Sequence, residues 1–153
     1  MPVDVRHVDD VFSGYPDMIV HPVNCTGVCK DAYSKQLRRT LPDYFRHYTR
    51  AVLRHKLVPG VPDIYSHDAL FGTRWIVILP VKNHWKEALV PLVVKDCLTK
   101  MAVAVRQTEP RSIALPELQG PPEGWLEEQL RKLCGDMPFA LEIQLLRLRV
   151  DAV

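Results

Sequence analysis

The segment "LPVKNHW", Leu79 to Trp85, sets a lysine just beyond the apolar run Trp75-Ile76-Val77-Ile78 and beside an indole. An ammonium at a strand end, partly desolvated by Trp85, can pair with phosphate, or act as nucleophile or base if its pKa is depressed. The alternative for Lys82 is a solvated cation whose stem lies on the indole. His84 reads as structural. Two other loops carry residue types that would complete a site. Asn24-Cys25-Thr26-Gly27 offers a polar side chain and then a helix start, whose amide hydrogens attract phosphate or carboxylate, with Gly27 letting backbone come close. A plain capped turn is the competing reading, and Asp31 at the helix start would compete with any anion. Pro116 to Gly124 carries Glu123, a carboxylate able to exchange protons beside Lys82, with Glu117 as its competitor. Glu123 would equally suit the opening turn of a helix.

The elements that must position these groups alternate along the chain. "MIVHPV" (Met18 to Val23) reads as a buried strand ending in the asparagine loop. Tyr33, Leu37, Leu41, Phe45, Tyr48 and Val52 recur at helical spacing, and Pro42 splits this stretch into two helices, the first ending at Thr40 or Leu41. "DIYSH" (Asp63 to His67) and "RWIVIL" (Arg74 to Leu79) form a strand pair. A helix from about Leu92 to Thr108 follows, then the strand "RSIALP" (Arg111 to Pro116), then a helix carrying Leu126, Leu130 and Leu133. In the last strand, Ala140 to Val150, the apolar alternation changes phase at Leu145-Leu146, predicting a bulge or burial on both sides. Strands alternating with helices predict an α/β fold with a mainly parallel or mixed sheet covered on both faces. Ligands in such sheets bind beyond the carboxyl ends of the strands, where all three loops fall.

The bounds set by composition are broad. The 153 residues suit one domain, taken as 1–153, with 47% hydrophobic and 25% charged residues, typical of a soluble globular chain. No apolar run approaches the roughly 18 residues of a membrane helix, and "MPVDVRHVDD" is charged where an export signal needs an apolar core, so a cytoplasmic protein without a membrane partner is expected. Cys25, Cys29, Cys97 and Cys134 lack the paired spacing of a zinc site and read as reduced thiols, so neither metal nor cofactor is expected.

In their order along the chain, "DMIVHPVNCTGV", "IVILPVKNHWKEA" and "RSIALPELQG" resemble a macrodomain, the three-layer α/β/α fold that binds ADP-ribose. The similarity is greatest to the branch of DarG-type DNA ADP-ribosyl glycohydrolases and terminal ADP-ribose protein glycohydrolases, and covers about Val3 to Leu133. It implies an adenine contact at Asp10 with the Val11-Phe12 backbone, a distal-ribose contact at Asn24, diphosphate loops at Gly27-Val28 and Gly120, a catalytic Lys82, and proton transfer by Glu123. It also implies hydrolysis of ADP-ribose from a modified target, ADP-ribosylated DNA being the candidate, and a partner protein. The loops depart from the branch's glycine-rich pattern: the first reads Cys29-Lys30-Asp31-Ala32 and the second Gln119-Gly120-Pro121-Pro122. Proline has no amide hydrogen and Asp31 adds like charge, which motivates the alternative of a catalytically degenerate binding or inhibitory module.

One charged stretch bears on the partner. From Lys35 to Lys56 there are seven Lys and Arg and the single acid Asp43. Arg46, Arg50 and Arg54 repeat at i, i+4, a like-charge spacing that costs a helix roughly 0.2–0.5 kcal/mol per pair and that a polyanion relieves. DNA is the candidate, and a solvated basic face is the competing reading.

Overall fold

The computed structural model describes residues 3–67, 71–150 and 152. Ten elements follow one another: β1 (Val3–Val8), β2 (Met18–Asn24), α1 (Ala32–Thr40), α2 (Pro42–Leu53), β3 (Asp63–Ser66), β4 (Trp75–Lys82), α3 (Pro91–Thr108), β5 (Ser112–Leu118), α4 (Trp125–Cys134) and β6 (Leu141–Val150). The strands form one six-stranded sheet in the order β1-β6-β5-β2-β4-β3. Every pairing is parallel except β3 with β4.

This order makes the fold three-layered. The connection from β2 to β4 steps one way across the sheet, whereas β4 to β5 and β5 to β6 step the other way. Right-handed crossovers therefore place α1 and α2 on one face and α3 and α4 on the other. The step reverses at β2 and β5, so loops leaving these two neighbours part to opposite faces and open a crevice at their carboxyl ends.

Burial follows the layering. All seven residues of β2 are buried, as are seven of the eight in β4. Such strands carry continuous apolar runs because helices cover both faces. Tyr33 and Leu37 of α1, Tyr44 and Tyr48 of α2, and Val94, Leu98 and Met101 of α3 fill the core. Pro42 occupies the first turn of α2, where its missing N–H breaks no helical bond, so the helix split falls at the expected place.

Three boundaries differ from the sequence reading. β1 went unassigned because its half-buried valines alternate with charged residues; it is an edge strand whose pairing comes only from distant β6. β4 does not stop before Pro80 but runs on to Lys82, so the lysine ends a strand rather than sitting inside a loop. β5 likewise passes Pro116. Both prolines lie beside register shifts. Val23 pairs with Pro80 but Asn24 with Lys82, leaving Val81 unmatched. Pro116 pairs with Leu146 and Glu117 with Arg149, so β6 carries an irregularity just after its phase change, while at the phase change itself successive residues on both sides of the strand are buried. A proline cannot donate to the ladder, and an irregular step is where a central strand tolerates one.

Candidate functional site

The asparagine loop is built around Asn24 itself. Its side-chain oxygen accepts from the Thr26 amide (3.0 Å), the Thr26 hydroxyl (2.8 Å) and the Val28 amide (3.2 Å). Its amide nitrogen donates to the carbonyls of Val28 (2.8 Å) and Ala152 (2.6 Å). Both donor hydrogens are thereby used, and the residue is fully buried. Gly27 takes a left-handed φ of 84°, and an added Cβ would lie 3.1 Å from Val52 of α2, so this position needs glycine on both counts.

Behind the loop, a directed hydrogen-bond chain ties β2 to α1 and α2. The Ser34 hydroxyl donates to one Asp31 carboxylate oxygen (2.8 Å), and the Ser34 amide donates to the other (2.8 Å). His21 Nε2 must then donate to Ser34 Oγ (2.8 Å), leaving Nδ1 to accept from the Tyr44 hydroxyl (2.7 Å). Complete burial pushes the His21 pKa down to about 3, so the ring is neutral. Asp31 is the cap of α1, as its position suggested, and it occupies the amide that an anion would need. A histidine inside the apolar "MIVHPV" was the visible sign of this network, and sequence reasoning passed over it.

Lys82 is 5% exposed. Its ammonium donates to the carbonyls of Trp85 and Glu87, each at 3.1 Å, so the turn after β4 wraps around the charge. The turn is closed by the Glu87 amide on the His84 carbonyl (3.0 Å) and by the Glu87 carboxylate accepting from the His84 amide (3.2 Å). Trp85 lies between two cations, Lys30 at 4.7 Å and Lys86 at 5.2 Å from its ring, with His84 stacked on it. Lys30 belongs to the first loop, so the indole links the loops after β2 and β4.

One cavity of about 530 Å³ gathers Lys82, Trp85, Glu87, Gln119, Gly120 and Pro121, among others. The second and third candidate loops thus meet over the lysine. Glu123 is not there: with Glu117, His7, Arg147 and Arg149 it lines a separate cavity of about 300 Å³. The carboxylate that does share the lysine's cavity is Glu87, which the sequence reading missed although it lies five residues after Lys82. Burial raises the pKa of its competitor, Glu117, which lines that same separate cavity.

The remaining positions are distributed around the crevice. Asp10 is exposed and accepts from the Gln36 side chain at 2.9 Å and from the Phe12 amide at 3.5 Å; neighbouring Val11 is buried. Gly120 has φ 111°. Val28 uses both its amide and its carbonyl on Asn24. Beyond β6, Ala152 is 2% exposed and its carbonyl meets Asn24 on β2, although β5 separates those strands. Ala152 therefore lies beside Asn24 at the carboxyl end of β2.

Known proteins share this fold. No family model matches the chain. A DNA ADP-ribosyl glycohydrolase of Thermus aquaticus is 29% identical over 102 residues, which is 67% of this chain and 28% of that protein. The chain thus spans less than a third of this curated relative. The macrodomain of Thermus aquaticus DarG superposes with a TM-score of 0.81 at 22% identity, covering 93% of this chain and 98% of that one. Thermosipho africanus DarTG in complex with ADP-ribose gives 0.79 at 19%, covering 93% and 41%.

Proposed function

From its macrodomain fold, we propose that the chain recognises ADP-ribose in the crevice between the loops after β2 and β5 and hydrolyses it from a modified target, ADP-ribosylated DNA. The observation that carries this reading is the buried Lys82, held by two carbonyls and lining a cavity walled by the loop after β5. A lysine kept out of water at a strand end is costly for stability and useful for chemistry.

In the proposed reaction, the bond between C1″ of the distal ribose and the target breaks, and water supplies a hydroxyl to C1″ and a proton to the leaving group. Lys82 acts at C1″ as nucleophile or polarising group. Glu87, in the same cavity, is placed to accept and return protons. Asn24 orients the distal ribose through the amide that now holds Ala152, and Asp10 accepts from the adenine. No step calls for a metal.

Release of ADP-ribose from an ADP-ribosylated oligonucleotide by wild type and by Lys82→Met tests the reading. Methionine keeps the buried stem, so the fold should persist while release falls at least 100-fold. Undiminished release by the variant overturns the role of Lys82. The degenerate alternative is favoured by Asp31 on the helix amide and by Val28 being internally bonded; calorimetry showing no heat with millimolar ADP-ribose would support it.

A further inference from the structure

The charge of this chain is segregated. Residues 35–56 hold seven of its 20 Lys and Arg and one of its 18 Asp and Glu, so the rest of the molecule carries net negative charge. All seven cations lie on α1, on α2 or just after α2. Asp43 is paired with Arg46, and among the described residues no carboxylate pairs with Arg39, Arg50 or Arg54.

These cations surround a shape. Arg38, Pro42, Phe45, Arg46, Thr49 and Arg50 line a cavity of about 370 Å³, in which the Arg38 guanidinium lies 5.6 Å from the centre of the half-buried Phe45 ring. None of these residues lines the Lys82 cavity. Across the Thr40–Pro42 corner a second cavity, lined by Thr40 and Leu41, presents Tyr15 and Phe71, 83% and 90% exposed. A ring set among guanidiniums, with further exposed rings across the corner, is what a phosphodiester strand with unstacked bases requires. The rings take base faces, and the planar guanidiniums bind phosphate oxygens in pairs. A lipid surface is the poorer fit, because the Phe45 ring lines a concavity instead of projecting as a wedge into a bilayer.

We propose that the outer face of α1 and α2 is a docking surface for single-stranded nucleic acid, with Arg46 and Arg50 on the phosphates and a base on Phe45 beside Arg38. It stands independently of the reading of Lys82, since it needs no ADP-ribose.

The test is fluorescence anisotropy of unmodified labelled dT20 and rU20 titrated with the full chain over a range of salt. Binding should weaken steeply with salt. Arg46→Glu with Arg50→Glu should reduce affinity at least tenfold and flatten the log–log salt slope by about 1.4, the value for two phosphate contacts on a single strand. Phe45→Leu should reduce affinity several-fold with the slope unchanged, thermal melting confirming that both variants are folded. Preference for dT20 or rU20 distinguishes DNA from RNA within the proposal. No binding of either strand at low salt, equal binding by the doubly reversed variant, or association with phosphatidylserine vesicles in place of the strands would overturn it.

Discussion

Asn24 and Lys82 are register partners at the carboxyl ends of adjacent parallel strands, and they are so only because Val81 is passed over in the pairing of β2 with β4. The Cys25 amide locks the step by donating to the carbonyls of both Lys82 (3.1 Å) and Asn83 (2.9 Å). Without the bulge Val81 would stand opposite Asn24, and a one-residue slip turns successive side chains to the opposite face. The relationship of the two polar residues is thus made by an irregularity.

Asn24 should be sensitive to a change of a single atom. Asn24→Asp keeps the acceptor that holds Thr26 and Val28 but sets a buried carboxylate against the carbonyls of Val28 and Ala152. Each buried group left unsatisfied costs about 1–3 kcal/mol, and the charge costs more. Thermal unfolding should drop by at least about 5 °C in this variant. An unchanged melting temperature would show that the loop does not depend on the Asn24 donors.

Ala152, held on the Asn24 amide, should compete with ligand. Ala152 has φ 65°, a left-handed conformation that costs a non-glycine residue about 1–2 kcal/mol and that proline cannot adopt. Ala152→Gly should therefore tighten the contact with Asn24 and weaken ADP-ribose binding, while Ala152→Pro should expel the carbonyl from Asn24 and strengthen binding. Titration calorimetry should show several-fold changes of opposite sign. Shifts of the same sign, or none, would remove Ala152 from any role in access.

Glu87 and Glu123 can be separated kinetically. Only Glu87 shares the cavity of Lys82. Glu87→Gln should lower single-turnover release of ADP-ribose by about 10²–10⁴, the usual range for a lost general acid or base, whereas Glu123→Gln should change it less than tenfold. The reverse order would return the proton-transfer role to Glu123.

His21 should make stability depend on pH on the acid side. Its folded pKa, near 3, is below the ordinary 6.5, so below that value the unfolded chain binds the extra proton and the folded one does not. The contribution is constant above 6.5 and is lost as pH falls toward 3, by up to about 1.4 kcal/mol per pH unit. Urea unfolding at pH 7.5 and pH 5.5 should show the loss, and His21→Phe should reduce the dependence. A pH-independent midpoint in the wild type would contradict a neutral buried ring.

Much of this fold was legible because its signals are local. The continuous apolar runs of β2 and β4, the helical spacing from Tyr33 to Val52 and the break at Pro42 each report a segment's own burial or backbone chemistry. Asp31 as a helix cap and the phase change in β6 were readable for the same reason. β1 was not, since its pairing is supplied by β6 across the whole length of the chain, and its valines are only half-buried. Pro80 and Pro116 misled the boundaries: a local rule ends strands there, while the sheet absorbs both at register shifts.

By itself the sequence determined the layering, the succession of elements after β1, and that Asn24, Lys82 and the loop from Pro116 to Gly124 would share one edge of the sheet, because alternating parallel strands put every such loop at the same end. Tertiary structure alone decided which groups meet there. The unmatched Val81 brings Lys82 opposite Asn24, the turn after β4 delivers Glu87 in place of Glu123, and the Ala152 carbonyl meets the Asn24 amide. Those outcomes depend on register and on contacts between residues far apart in the chain, which no local pattern of residue types encodes.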